Sequence, residues 1–350
     1  MLPSLVSATV SAAGLAATSL ASPNSNASVQ TVYEFPDSTY VENIAVRSNG
    51  QLLVNLLTAP ELWLVDPATP GEAILVHEFA GTTALCGIAE YEPDVFAVIA
   101  GNVSLATGDG IVGSWSIYSI DLAGANITSN SSVIATPPTV SKIADVPAAE
   151  LLNGMAVLSS DEKQLLIAGD VKTGTIYSVD IETGDYAVAI NNTYTATAVE
   201  YGLGTSGTDG VQILDDVLYF TNIAQGYLYR VALNVTDGTP AGEFETVAEI
   251  MTSNDQWDDF TFDKDGNVYM TAGGANTIEK INVQTGKVEL VAGNLNSTLI
   301  AEPSSAKFGR RANDANVLYV TTAGGLLAPV NGNTTVGGQV LAIKTKSSCS

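Results

Sequence analysis

Histidine and sulfur are nearly absent from this chain of 350 residues, which holds one histidine, two cysteines and four methionines. The lone His77 lies in Val76-His77-Glu78-Phe79, a pattern that predicts an outer strand, so neither a histidine dyad nor a Ser-His-Asp triad can be assembled around it. The cysteine and histidine spacings of zinc sites are missing too. No glycine-rich phosphate loop follows a strand and opens a helix, which removes nucleotide chemistry. Basic residues number 13 against 37 acids, giving a net charge of −24, and they never cluster. A nucleic-acid partner is thereby excluded, because phosphate binding draws on grouped Lys and Arg. The acidity reads either as a solvated surface or as a field that draws cations.

A long stretch without charge occurs at the N-terminus. Met1 to Ala21 are apolar and small, contain no acid and end in Ser19-Leu20-Ala21, the small-x-small pattern of a signal peptidase site. Residues 1–21 are read as a signal peptide and 22–350 as one mature domain. The stretch is rich in Ser, Ala and Gly and lacks flanking Lys or Arg, so stable membrane insertion is not expected. Eight Asn-x-Ser/Thr sequons, at Asn26, Asn102, Asn126, Asn130, Asn191, Asn234, Asn296 and Asn333, fit passage through the secretory pathway to a secreted or vesicular glycoprotein. In that oxidising setting Cys86 and Cys349 either pair, tying the tail to the second repeat, or Cys86 is a buried free thiol.

What the chain does have is a repeated strand-turn-strand phrase. Its copies begin at Glu42-Asn43, Cys86-Gly87, Asn153-Gly154, Asp209-Gly210, Asp258-Asp259 and Ser305-Ala306, and each runs into a second strand such as Leu52-Leu53-Val54 or Val217-Leu218-Tyr219-Phe220. Third strands such as Thr175-Ile176-Tyr177-Ser178-Val179-Asp180 follow, then turns such as Thr183-Gly184-Asp185. The spacing predicts an all-β, six-bladed β-propeller of four-stranded antiparallel blades around a central channel. The alternating Ser28 to Phe35 segment is expected to pair with the last blade and close the ring. Loops at Gly101–Pro138, Tyr194–Thr208 and Gly324–Gly338 are long enough either to rim a channel mouth or to be plain surface loops.

Innermost strands line the tunnel, so their first residues converge however distant they are in sequence. The candidates are Glu42, Asn43, Cys86, Asn153, Asp209, Asp258, Asp259, Ser305 and Lys307. Acid-base work would fall to Asp209, Asp258 and Glu42, since crowded carboxylates raise one another's pKa and keep one protonated near neutrality. Substrate contacts would fall to Asn43, Asn153, Trp257 and Lys307. Trp115, Tyr118, Tyr201 and Phe260 are read first as blade core and second as cavity wall, whereas Trp257, at a strand entry, is read as wall.

The phrases Asn153-Gly154-Met155 and Asp209-Gly210-Val211, with Glu42 on the first blade, resemble the SMP-30/gluconolactonase group of six-bladed propellers. In lactonases of that group the matching positions hold a divalent metal, which implies Glu42, Asn153 and Asp209 as ligands for Ca2+ in a lactonase or esterase. Here Glu42 is followed by Asn43-Ile44 rather than Gly-Pro, and the phrase carrying the group's substrate-binding arginine is not found. The whole layout is more similar to secreted fungal propellers of the hetero-Diels-Alderase-like branch, through Val32-Tyr33-Glu34-Phe35, Glu42-Asn43-Ile44-Ala45-Val46-Arg47, Leu151-Leu152-Asn153-Gly154-Met155 and Thr208-Asp209-Gly210-Val211. That resemblance implies an enzyme of fungal secondary-metabolite biosynthesis. It would join a quinone methide, made by dehydrating a tropolone or phenol, to a terpene alkene such as humulene, giving a dihydropyran meroterpenoid. Hydrophobic small molecules would be its partners and no cofactor would be required. A non-catalytic ligand-binding propeller is the further alternative, and the sequence leaves the oligomeric state open.

Overall fold

A computed structural model describes residues 27–104, 107–128, 133–200, 204–252 and 254–345. The expected signal peptide, Asn26, Asn130, Tyr201 and Cys349 lie outside the described residues. Within them the chain is all-β, with six four-stranded antiparallel sheets set as the blades of a propeller and no helix. Blade one is built from Val41–Val46, Leu52–Leu56, Glu61–Val65 and Ala73–Glu78, paired in that order. Blades two to five repeat it from inner strands Ala84–Glu92, Leu152–Ser159, Thr208–Leu214 and Trp257–Phe262. Blade six takes three strands from the C-terminal part, Pro303–Phe308, Val317–Thr322 and Gly337–Lys344, and its outermost strand from the beginning, Ser28–Asp37. Ser28 pairs with Lys344 and Glu34 with Gln339, so the ring closes as the alternation of that segment predicts.

Each blade buries both faces, which is why its inner two strands read as apolar runs instead of alternating patterns. Six hydrophobic clusters result, one at every junction between neighbouring blades. Phe96 and Leu62 pack between blades one and two, and Trp115 and Met155 between two and three. Phe220 and Leu165 fill the next junction, Trp257 and Tyr219 the one after, Tyr269 and Ala306 the fifth, and Ile44 with Tyr319 and Val340 the last. His77 sits on the outer strand of blade one, as its sequence context suggests. Asn126, Asn191, Asn234, Asn296 and Asn333 are exposed, and Asn102 is half-buried.

Candidate active site

The six inner strands share one irregularity. Against its neighbour each gains a single residue at the same step, so Glu42-Asn43, Cys86-Gly87, Asn153-Gly154, Asp209-Gly210, Asp258-Asp259 and Ser304-Ser305 each stand opposite one residue of the second strand. Such a bulge sharpens the twist and re-aims side chains. Repeated in all six blades, it turns the start of every inner strand toward the axis.

The amides and acids of this ring touch. Asn153 Nδ2 donates to Asp209 Oδ1 at 2.6 Å, and Asn43 Nδ2 reaches Asn153 Oδ1 at 3.4 Å and Glu42 Oε1 at 3.5 Å. Glu42, Asn153, Asp209 and Asp258 all line one cavity at this end of the channel, holding about 890 Å³ with its open mouth counted. Its other walls are largely aliphatic, including Leu57, Val103, Leu151, Val171, Ile223 and Leu327. All three long loops contribute to it, through Val103 and Gly108, Ser206, and Leu327.

Burial sets the charge of the site. Glu42 is pushed up to about 7 by desolvation, with Asp259 and Glu302 adding to the rise while hydrogen bonds from Asn153 and Tyr40 oppose it. Asp258 is raised well above the usual carboxylate range, first by desolvation and then by Asp209, Glu42, Asp259 and Glu302. One oxygen of Asp258, Oδ1, is buried with no hydrogen-bond partner among the described residues. The arrangement therefore favours the protonated form of a carboxyl set in the wall of a cavity that mixes polar groups with aliphatic sides. The thiol of Cys86 is buried in the same ring, and desolvation followed by Glu42, Asp209 and Asp258 raises its pKa. Its suggested partner Cys349 is outside the described residues.

Three expected substrate contacts are corrected by the geometry. Asn43 does not line the cavity, its Nδ2 being turned to Asn153 and Glu42. Trp257 is fully buried in the junction of blades four and five, with Nε1 donating to Glu279 Oε2 at 2.8 Å, and it does not line the cavity. It pairs with Ala272 just before the bulge, so Asp258, not Trp257, is the residue turned inward. Lys307 stands three residues past the Ser304 bulge position and lines a different cavity at the opposite end of the channel. Trp115 and Phe260 are blade core, as first read, and Tyr118 packs on the core between blades one and two.

Sequence reasoning missed Tyr40, Gln256 and Glu302. All three line the cavity from the turns that lead into inner strands. Gln256 and Glu302 hold φ of 43° and 53°, a backbone region costly for non-glycine residues. Glu302 Oε2 accepts from the Leu327 amide at 3.0 Å, and desolvation lifts its carboxyl to about 7 against the pull of the Leu326–Ala328 amides. Position alone could have flagged them, since each sits one or two residues ahead of a strand named in the repeat.

Whether a cation suits the site can be judged from the donors. The set is hard oxygen throughout, as calcium prefers, and the orphaned Asp258 oxygen adds to it. Among the described residues no three of His, Cys, Asp and Glu are grouped to ligate one ion, so Asn153 has to take part. In its present bonds Asn153 gives Nδ2 to Asp209 and receives Asn43 on Oδ1. The residues thus fit a cation only if these amide contacts are given up.

No protein-family model matches the chain. A Phoma sp protein provisionally named a hetero-Diels-Alderase is 28% identical over 316 residues, covering 83% of this chain and 85% of that protein. A Sarocladium schorii protein with the same provisional name is 26% identical over 353 residues, covering 90% and 83%. Among solved structures, a luciferin-regenerating enzyme superposes with a TM-score of 0.64 at 14% identity, covering 91% of this chain and 95% of the other. The calcium-binding protein regucalcin of Agrobacterium tumefaciens gives 0.58 at 14% identity, covering 91% and 96%. The chain thus has the fold of the SMP-30/gluconolactonase-like six-bladed propellers and, in sequence, resembles proteins named as hetero-Diels-Alderases.

Proposed function

We propose that the chain is a cyclase of the hetero-Diels-Alderase type, joining a quinone methide formed by loss of water from a hydroxymethyl tropolone or phenol to an alkene of a terpene such as humulene. The observation that carries this reading is the buried Asp258 carboxyl, its proton favoured by desolvation and neighbouring acids, at the wall of a cavity whose other sides are largely aliphatic. The likeness to two relatives of that name supports it.

The chemistry follows from three groups. Asp258 gives its proton to the departing hydroxyl as the carbon-oxygen bond breaks, so water leaves instead of hydroxide. The acidic ring hydroxyl of the precursor passes its proton to Asp209, whose carboxylate is held in place by Asn153. The resulting oxygen-carbon diene then meets the alkene, forming one C–O and one C–C bond with no further proton transfer. Glu42 and Tyr40, which line the cavity, orient the carbonyl oxygen of the diene, with Asn43 bonding Glu42 from behind. The aliphatic walls hold both partners together, and orientation of this kind can remove roughly 7 to 11 kcal/mol of entropic barrier in the best cases. The expected leader and the exposed sequons support a place in the secretory pathway for this chemistry.

The test is to incubate the purified chain with a hydroxymethyl tropolone and humulene and to measure the dihydropyran adduct by mass spectrometry. Asp258→Asn should slow its formation by about a hundredfold or more. Adduct forming at the same rate without protein would overturn the reading. A second reading, a calcium-dependent lactonase, is supported by the meeting of Glu42, Asn153 and Asp209 and by the regucalcin-like fold. Calcium there would polarise a lactone carbonyl, and those residues with Asp258 would hold it. Chelation would then abolish turnover, whereas the cyclase reading expects turnover to survive it. If no substrate of either class is turned over, a ligand-binding propeller remains.

A further inference from the structure

A second cavity opens at the opposite end of the channel, holding about 1020 Å³ with its mouth counted. No residue lines both cavities. Between them runs a polar partition. Lys307 Nζ donates to Gln212 Oε1 at 2.7 Å, Gln212 Nε2 donates to Asp259 Oδ1 at 3.1 Å, and Ser305 Oγ donates to Asp259 Oδ2 at 2.7 Å. The second cavity is mostly apolar, with Ala45, Ile88, Met155, Ile213 and Phe308 around the half-buried Lys307.

The two cations there are paired unequally. Arg310 on the rim is already paired with Glu90 and donates to the Val46 carbonyl at 3.0 Å. Lys307 makes no ion pair among the described residues. Asp259, the carboxylate that reaches it electrostatically, does so across the Gln212 amide. One of three ammonium donors is used, and burial makes an unpaired cation costly. Burial accordingly lowers the Lys307 pKa, with Asp259 only partly offsetting it. An amine with no direct ion pair and two donors unused among the described residues thus stands in a recess with largely apolar side chains around it.

We propose that this second cavity is a binding site for a small organic carboxylate with an apolar body, its oxygens on the Lys307 ammonium and its body against Met155, Ile213 and Phe308. A carboxylate supplies acceptors for the two unused donors and the direct ion pair that Lys307 lacks. The walls select for an apolar body, because a sugar acid or an inorganic anion would leave them wet and its own polar groups unpaired.

Calorimetric titration of the full chain with octanoate and with benzoate tests this. At least one of them should bind saturably at one site, with Lys307→Met weakening it at least tenfold. Ile213→Trp, a half-buried wall residue that would fill the apolar end and keep the lysine, should weaken it by a similar factor, and the alcohol matching the acid that binds, octanol or benzyl alcohol, should bind at least tenfold more weakly. Asp258→Asn, in the other cavity, should leave binding of that acid unchanged. The site is overturned if neither acid binds, if affinity survives either Lys307→Met or Ile213→Trp, if the matching alcohol binds as well as the acid, or if Asp258→Asn removes the binding. Should Lys307→Met fail to fold, Ile213→Trp and the alcohol comparison decide alone.

Discussion

The ring of bulges is built in two ways on its two arcs. In blades two to four the second bulge residue is glycine, at Gly87, Gly154 and Gly210, and neighbouring inner strands meet backbone to backbone. A Cβ on Gly154 would lie 2.3 Å from the Asp209 carbonyl oxygen and 2.6 Å from the Val211 nitrogen. In blades five, six and one the same place holds Asp259, Ser305 and Asn43, whose side chains hydrogen-bond to other blades. The residue opposite the bulge divides the ring nearly the same way, with the polar set beginning one blade earlier, in blade four. Thr221, Thr271 and Thr321 each bond a bulge carbonyl of the following blade, to Asp258 at 2.9 Å, Ser304 at 3.0 Å and Glu42 at 2.8 Å, and Asn55 does the same for Cys86. Blades two and three have Ile99 and Gly169 there instead. Blades two and three close by shape, blades five, six and one by polar contacts, and blade four by both; Glu42, Asp258 and Glu302, buried acids with raised pKa that line the cavity, belong to the polar arc.

This division predicts unequal costs of mutation. Gly154→Ala on the shape-closed arc should be the most damaging, because the clashing atoms are backbone and cannot rotate away. A loss of about 3 kcal/mol or more is expected, read as a lower midpoint in urea unfolding or as failure to fold. A variant within about 0.5 kcal/mol of the parent would show that the two strands can part, and the contrast between arcs would fail. Thr321→Val on the polar arc keeps the volume but strands the Glu42 carbonyl and the Ser305 amide, which lies 3.1 Å from the hydroxyl. About 2 kcal/mol should be lost. The same change at Ile99 is not available to test, since that position already has no hydroxyl to lose, so Ile99→Val serves as the control and should cost only about 1 kcal/mol.

The strength of the repeat explains what could be read without coordinates. Strand alternation and turn residues recur in all six blades, so blade count and ring closure were legible. The convergence of Glu42, Asn43, Asn153, Asp209 and Asp258 followed from their shared place at strand starts. What could not be read was which way a side chain turns at a bulge, because Trp257 was placed at the wall by its position at a strand entry, whereas the inserted residue turns Asp258 inward in its place. Depth along the channel was hidden for a related reason. Lys307 belongs to the same inner strand as Ser305, yet two residues of strand rise, roughly 6.6 Å, carry it past the partition into the other cavity. Tyr40, Gln256 and Glu302 escaped notice because they precede the repeated phrase, in turns whose sequences differ from blade to blade.

The polar arc also includes an acid that serves neither cavity, and it offers the smallest and cleanest test of what burying carboxyls there costs. Glu279 accepts the Trp257 indole at 2.8 Å and Thr277 Oγ1 at 3.4 Å. Desolvation nevertheless lifts it from 4.5 to about 7, Asp255 adds to the rise, and the two hydrogen bonds only moderate it. The folded chain therefore holds this proton up to about pH 7, while the unfolded chain releases it near 4.5. Its stabilising contribution is complete below 4.5 and is lost as the pH climbs through 7, leaving an ionised buried acid above that. Glu279→Gln retains an oxygen for the indole and removes the charge. At pH 8 the variant should be more stable by about 1 to 2 kcal/mol, seen as a Tm about 2 to 4 °C higher, while at pH 4 the two should melt together. A lower Tm for the variant at pH 8 would mean that the carboxylate is better compensated than its neighbours indicate, and that the polar arc is held together by its acids as well as by its threonines.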